Sequence, residues 1–294
     1  MILNVSGRCD IVAFYTPWFM NRYKEGFVDV RNPFYPNLVS RINFLDVDLI
    51  VFCTKNPIPI IDHIKEIKIP IIFQVTITPY KEEIEKIKSK KEIIQAVQKL
   101  ATIFDPEYIY IRYDPIFLSP KYTLDYHLKA FSKLTTLLEG SCKHIIVSFL
   151  DIYKNVLKNK DILNYQDFKE EDYKIIGRNF SKIAAKHGMT VQTCFEERNL
   201  VEYGFLKADC LSPELAFKLT GKKYPKWRAR KGGNCNCCNM VDIGFYNSCL
   251  HMCKYCYANY LESEVVTNYK NHDPNSSLLI GSLKETDIIK IRKK

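Results

Sequence analysis

The feature that most constrains the fold is an alternation of short β-branched runs with longer amphipathic stretches. Apolar runs of strand length are expected to form strands at residues 48–53, 70–77, 108–112, 144–149 and 189–193. Stretches with an apolar period of three to four residues are expected to form helices at residues 59–67, 81–104, 123–139 and 169–187. This order is typical of βα units around a parallel sheet and predicts an α/β protein.

The pattern lapses between residues 196 and 240, where glycines and cysteines replace periodic segments. It resumes at 241–246, which reads as one more strand, and residues 1–15 are expected to supply another. There is no internal repeat and no convincing linker. We therefore expect one domain over residues 1–294, with a cysteine-rich segment at 194–240 and a short C-terminal tail.

A cysteine run directly follows the last predicted strand. Cys249, Cys253 and Cys256 have the spacing C-x₃-C-x₂-C, and Tyr255 precedes the third cysteine. Three thiolates so close in sequence can bind three irons of a [4Fe–4S] cube and leave the fourth iron open to a small molecule. A structural zinc site is the alternative, because short cysteine spacings also suit Zn²⁺.

Composition sets the expected compartment. The chain of 294 residues has eleven cysteines, no run of 18 apolar residues, and no charged segment before an apolar one at its start. We therefore expect a cytoplasmic protein, with no membrane contact, whose clustered cysteines bind metal rather than form disulfides. The net charge of +10 is compatible with nucleic acid or an anionic substrate, but most lysines lie in Lys-Glu stretches typical of a solvated face.

The cysteine loop and its flanks resemble a known superfamily. The run from Cys249 to Cys256 with Tyr255 resembles the signature loop of the radical S-adenosylmethionine (SAM) superfamily. The longer stretch from Asp242 through Asn259 resembles an uncharacterised bacterial family with a C-terminal radical-SAM-type cysteine cluster. It is more distantly similar to the spore photoproduct lyase-like branch.

This resemblance implies a fold and a chemistry. In the superfamily the open iron is chelated by the amino and carboxylate groups of SAM, and one electron from the cluster cleaves SAM. A donor such as flavodoxin or ferredoxin supplies that electron. The strand bearing the cluster loop comes first in a partial (β/α)6 TIM-like barrel there, but last here. The resemblance therefore implies a circularly permuted barrel, with strand 241–246 parallel to the N-terminal strand.

Polar residues after each apolar run are candidate site residues, because barrel enzymes place their chemistry at the carboxyl ends of strands. Arg112 and Asp114 are candidates for catalysis, either as a structural ion pair or with Arg112 holding an anion such as the SAM carboxylate. Lys55 is a candidate proton donor or substrate anchor, with a solvent-exposed lysine as the alternative. The candidate cofactor-binding residues are Thr54, Asn56, Thr78, Ser148 and Tyr255.

Cysteines outside the loop suggest a second metal site. The resemblance favours four of them as ligands, namely Cys194, Cys210, Cys235 and Cys237. They could hold a second [4Fe–4S] cluster or Zn²⁺, or they could be core residues. Cys9 and Cys53 stand where the resembled family is expected to have threonine and tryptophan, so each is expected to be a buried, inert thiol.

Three functions follow from these residues. The first is a radical SAM enzyme that reductively cleaves SAM to start radical chemistry on a substrate at the strand ends. The second is a non-catalytic zinc- or cluster-binding module that contacts nucleic acid. The third is a nucleic-acid repair enzyme similar to spore photoproduct lyase.

Overall fold

The computed structural model describes residues 1–87, 89–194, 196, 198–227 and 236–293. Its strands are β1 (Ile2–Val5), β2 (Phe27–Arg31), β3 (Leu38–Asn43), β4 (Leu49–Thr54), β5 (Ile71–Thr76), β6 (Ile109–Ile116), β7 (His144–Phe149), β8 (Thr190–Thr193), β9 (Met240–Asp242) and β10 (Ile288–Ile291). Its α-helices are α1 (Ile11–Phe14), α2 (Thr16–Glu25), α3 (Lys90–Ala101), α4 (Leu124–Leu137), α5 (Lys154–Lys158), α6 (Lys160–Leu163), α7 (Glu170–Lys186), α8 (Pro213–Thr220) and α9 (Glu262–Lys270). Short 3-10 helices lie at Phe44–Asp46, Ile58–Glu66, Pro106–Tyr108 and Val201–Tyr203.

Seven strands form one parallel sheet in the order β8-β7-β6-β5-β4-β1-β9. The prediction of an α/β protein with a parallel sheet is therefore confirmed. In the described residues β8 and β9 lie at opposite edges of the sheet and do not pair with each other. The sheet is open, and it does not form a closed barrel.

The last strand of this sheet pairs in parallel with the first. Ile2 lies opposite Met240, and Asn4 lies opposite Asp242. The predicted neighbourhood of the two strands is confirmed, although β9 spans only Met240–Asp242 rather than 241–246. The strand ends early because the Asp242 side chain accepts the backbone N–H of Gly244, which turns the chain into the cysteine loop.

The two faces of the sheet are covered differently. Alternate strand residues such as Leu3, Phe52 and Phe73 face a large apolar core that includes side chains of α3, α4 and α7. Residues of the opposite face, among them Ile72 and Ile146, pack against the segment around α8. We call this second face, which packs against the segment around α8, the inner face of the sheet. It is apolar near the amino ends of the strands and becomes polar towards their carboxyl ends.

Several elements were not predicted from the sequence. The antiparallel hairpin β2–β3 and strand β10, which joins β3 in parallel, form a second sheet of three strands. The strand expected within residues 1–15 is confirmed as β1, and the helices α1 and α2 that follow it were not predicted. The expected C-terminal tail contains α9 and β10. No helix in the described part of the chain combines the length and apolarity needed to cross a membrane.

The helix predicted at 81–104 is shorter than expected. It begins at Lys90, where Ser89 caps it by accepting the N–H of Glu92, and it ends at Ala101. Residues 82–84 form a turn, and Glu85 points inward with its side chain fully buried. The apolar period of Ile84 and Ile87 suggested helix, but ion pairs to Glu85 hold this segment in another conformation.

His127 of α4 makes stability dependent on pH. Its ring is fully buried, with Nε2 at 2.9 Å from the carbonyl of Phe117 and Nδ1 at 2.9 Å from the Tyr113 hydroxyl. Burial lowers the pKa of His127 to about 4, although the hydrogen bond to Phe117 acts in the opposite direction. Since the unfolded chain takes up this proton near pH 6.5, folding loses stability as the pH falls from about 6.5 towards 4.

We therefore expect urea unfolding to show that His127 lowers the free energy of unfolding by about 2 kcal/mol when the pH falls from 7 to 5. His127→Gln should be less stable at pH 7, because it loses buried hydrogen bonds, but it should lose less stability on acidification. Other titrating groups contribute equally to both proteins, so the difference in slope isolates His127. Equal pH slopes in the two proteins would contradict the expectation.

Candidate metal centre

The cysteine loop lies at the carboxyl edge of the parallel sheet. It follows β9, and since β9 pairs with β1, the loop lies beside the segment that follows β1. Tyr15 donates from its hydroxyl to the carbonyl of Ser248 at 2.6 Å, and the Tyr257 hydroxyl donates to the carbonyl of Gly7. The topology thus places Cys249, Cys253 and Cys256 at the edge where barrel-like proteins carry their sites.

Contacts from distant parts of the chain hold this loop. His251 Nε2 lies 2.8 Å from Asp10 Oδ2, and that carboxylate oxygen also accepts the backbone N–H of Lys55 at 2.7 Å. Asn155 of α5 donates to the carbonyl of Asn259 at 3.0 Å. Loop position is therefore fixed by the segments after β1, β4 and β7.

The three loop thiols share a half-buried environment. All three are free of disulfides, and Cys256 Sγ accepts the N–H of Ala258 at 3.3 Å. Burial raises the pKa of Cys253 to about 12 and also raises those of Cys249 and Cys256. Negative charge on Cys253 or Cys256 further raises the pKa of Cys249, so the three sulfurs are close enough to influence one another. Three thiolates in this loop therefore need compensating positive charge.

A buried ionic network lies against the loop. Lys55 Nζ donates to Glu85 Oε2 at 3.0 Å and to the Tyr255 hydroxyl at 2.8 Å, while Tyr255 donates to Glu85. Lys90 Nζ donates to the other oxygen of Glu85 at 2.7 Å, and Thr78 also donates to Glu85. Burial opposes ionisation of Glu85, but the two lysines hold its pKa at about 2.

A row of hydrogen-bonded side chains crosses the inner face of the sheet near this edge. At one end Asp242 of β9 accepts from Arg8 Nε at 2.9 Å and from Asn4 of β1 at 3.2 Å. The Cys53 thiol of β4 donates to Asn4 Oδ1 at 3.3 Å, and its sulfur is 3.9 Å from Gln74 Oε1 of β5. Cys53 is thus a partnered thiol, and burial raises its pKa to about 12.

The row continues through β6 to β7. Arg112 donates to Gln74 Oε1 at 3.0 Å and, through Nε, to Asp114 Oδ2 at 2.7 Å. Ser148 donates to Asp114 Oδ1 at 2.6 Å. Burial opposes ionisation of Asp114, but Arg112 and the Ser148 hydroxyl hold its pKa below its usual range. Arg112 and Asp114 therefore form the ion pair that the sequence offered as one of two possibilities.

Three cysteines of the proposed second set meet beside this row. The Cys194 thiol, after β8, lies close enough to Cys210 for each to shift the pKa of the other, and Cys237 likewise shifts the pKa of Cys210. Cys194 lowers the pKa of Cys210, but Cys237 and burial outweigh this effect and raise that pKa to about 12. Arg112 lies close enough to Cys194 for a negative charge on that thiol to raise the pKa of Arg112. Cys235 lies outside the described residues.

A single metal ion and an iron–sulfur cluster need different arrangements of ligands. Within the described ranges, no three His, Cys, Asp or Glu side chains converge on a single point as one metal ion requires. A cubane cluster makes a different demand, because each thiolate binds its own iron. Three neighbouring free thiols with the Lys55 ammonium alongside match that donor set.

Two of the candidate cofactor-binding residues have local roles. The Thr54 hydroxyl accepts the N–H of Asn56 at 2.9 Å, and Asn56 Oδ1 accepts the N–H of Ile58 at 3.2 Å. These bonds shape the turn that leads from β4 into the 3-10 helix at Ile58–Glu66. Thr78, Ser148 and Tyr255 instead belong to the networks described above.

Sequence reasoning missed Glu85, Lys90, Asn4, Gln74 and Asp242 as members of these networks. The first two fell within a predicted surface helix. Asn4 and Gln74 carried a usable signal, since each is a polar residue inside an otherwise apolar strand. Such residues are rarely buried without a partner.

The chain was also compared with known proteins. No curated protein matched it. The family model described as "Domain of unknown function (DUF1848)" matches residues 2–258, a span that runs from β1 through the whole cysteine loop. The site and the sheet that carries it therefore lie within one family domain, and the chain belongs to the DUF1848 family.

Proposed function

We propose that this protein is a radical SAM-type iron–sulfur enzyme. Cys249, Cys253 and Cys256 would hold a [4Fe–4S] cluster with one open iron, which binds SAM. When bound, the cluster supplies the electron that cleaves SAM and so starts radical chemistry on a substrate. A one-electron donor of the flavodoxin or ferredoxin class would reduce it.

The observation that carries this proposal is the position of the loop. Three free thiols of one loop lie at the carboxyl edge of a parallel sheet, beside a row of polar side chains from successive strands. That edge is where a ligand held by the loop would be within reach of a substrate held by the strands.

The protein's own residues would position the reactants. Asp10 and His251 keep the loop in place, and the ion pair of Arg112 with Asp114 presents fixed charges on the inner face. Because these side chains are already hydrogen-bonded to one another, they would need little rearrangement when a substrate binds. The covered inner face would also limit the access of water to a radical.

The same proposal extends to the architecture. We regard the open sheet as a partial (β/α)6 barrel whose strand order is circularly permuted. Support comes from β9, which carries the loop and pairs in parallel with the N-terminal strand. Circular permutation changes the order of the strands along the chain but not which strands are neighbours in the sheet.

A second metal site forms the other part of the proposal. Cys194, Cys210 and Cys237 come from three separate segments, yet Cys194 and Cys237 each lie close enough to Cys210 to shift its pKa. Binding of a metal group would replace the thiol protons, because cysteine binds metals as the thiolate. The thiol set would suit a second [4Fe–4S] cluster, in which each thiolate binds its own iron, whereas Zn²⁺ would require the thiols to move to a common point.

Anaerobic reconstitution of the full chain with iron and sulfide tests the function. We expect visible absorbance from thiolate-to-iron charge transfer, at least about four irons per chain, and consumption of SAM that depends on dithionite. Deoxyadenosine or another SAM fragment should appear among the products. A protein that binds zinc and no iron, or a cluster that leaves SAM intact with reductant present, would overturn the proposal and favour a non-catalytic module.

A further inference from the structure

We propose that the buried network of Lys55, Glu85 and Lys90 sets the reduction potential of the cluster held by the cysteine loop. This inference rests on the proposed function, and it assigns Lys55 a positioning role through charge. The three residues lie on separate segments, after β4, in the turn before α3, and at the first residue of α3. Their shared contact is therefore a property of the fold and not of local sequence.

The network carries excess positive charge in a place shielded from water. Two ammonium groups share one carboxylate, which leaves one net positive charge. The Glu85 side chain is fully buried, and the Lys55 side chain is only 13% exposed. Screening by solvent ions is weak at such a site, so the charge acts over a longer distance than a surface lysine would.

This charge lies next to the loop that would bind the cluster. Lys55 donates to the hydroxyl of Tyr255, which stands between Cys253 and Cys256 in sequence. Lys55 Nζ lies 5.4 Å from the centre of the Tyr255 ring, and a negative charge on Cys253 attracts the ammonium groups of both Lys55 and Lys90. The reverse also holds, because an interaction between two charges is mutual. The ammonium groups therefore stabilise negative charge on Cys253.

Reduction of the cluster adds one electron and no proton, so the negative charge of the loop increases by one. A [4Fe–4S] core bound by three thiolates is already anionic before that electron arrives. Net charge around a cluster is one of the factors that set its reduction potential. The fixed positive charge of the network, held beside Tyr255, favours the reduced state of the cluster and so raises its reduction potential.

Lys55→Met tests the inference while leaving Glu85 paired with Lys90. The network then becomes neutral, and no buried charge lacks a partner. We expect the midpoint potential of the reconstituted cluster, measured by dithionite titration with visible absorbance or electron paramagnetic resonance, to shift to a more negative value. Lys55→Arg retains the charge and should stay close to the wild type.

Glu85→Gln is expected to shift the midpoint potential in the opposite direction. Removing the carboxylate increases the positive charge of the network, so the midpoint potential of this variant should become more positive. Lys99→Met serves as the matched control, because it removes a lysine charge from an exposed ion pair with Asp62 and should leave the potential unchanged.

The outcomes separate this inference from the proposed function. If no cluster forms on the wild-type chain, the proposed function fails. If the cluster forms with equal iron content in the wild type and Lys55→Met but their potentials agree, the function stands and the inference is wrong. Equal shifts in Lys55→Met and Lys99→Met would also overturn it, because the effect would then follow total charge and not the network.

Discussion

Cys253→Ala is expected to lose the cluster and all reductive cleavage of SAM, down to the level of buffer without protein. One of three ligands disappears, so one iron loses its only bond to the protein, and an incomplete cluster is released or degraded. Cys253 lies between His251, which contacts Asp10, and Tyr255, which contacts Lys55. The other two cysteines of the loop are themselves proposed ligands, so neither can replace it. Visible absorbance, iron content and SAM fragments are the measurements.

Cys142→Ala is the matched control. Its thiol is also buried, but it packs against Met189 at the opposite end of the sheet, near the start of β7. This variant should keep wild-type iron content and SAM cleavage. If alanine at all three loop cysteines still allowed production of deoxyadenosine, the assignment of the loop would be wrong.

Metal content should divide between two independent sites. If the second set holds a cluster, the wild type should contain about eight irons, and the triple alanine variant of the loop should keep about four. Alanine at Cys194, Cys210 and Cys237 should remove the other four and leave SAM binding at the loop. Iron and zinc analysis of anaerobic preparations gives the counts.

Cys238→Ala refines this test. Cys238 is fully buried in the same apolar cluster as Cys210 and Cys237, yet it is not among the proposed ligands. Its replacement should leave the metal content unchanged. Four irons in the wild type and none in the loop variant would exclude a second cluster, whereas one equivalent of zinc would make the second site structural.

Local sequence signals predicted the parallel sheet well. The strands of the sheet are continuous apolar runs, because both faces of a parallel strand are buried, and β7 matches its predicted bounds. The pairing of β9 with β1 was also predicted, but only through the resemblance. The β2–β3 hairpin was missed since its strands mix polar and apolar residues, as strands on a half-exposed sheet do.

The site was predictable where chemistry depends on spacing in the sequence. The cysteine loop was evident from Cys249 to Cys256, and the Arg112–Asp114 ion pair was one of two alternatives for these residues, which lie within β6 rather than after it. Glu85 could not be found this way, because its partners Lys55 and Lys90 come from different segments and a Lys-Glu stretch normally faces solvent. Burial of an ion pair is decided by tertiary packing, which single-sequence periodicity does not contain.

The pairing of β9 with β1 has a consequence for the order in which the chain becomes functional. Asn4 and Asp242, which meet across this pair, are separated by 238 positions. During synthesis from the amino end, β1 keeps one unpaired edge until β9 emerges from the ribosome, after every other strand of the large sheet. The cysteine loop comes later still, so it closes onto a surface that is already folded. If the loop binds a cluster as proposed, metal loading would depend on completion of the sheet, and a chain released before residue 240 would lack the loop that receives iron at this edge.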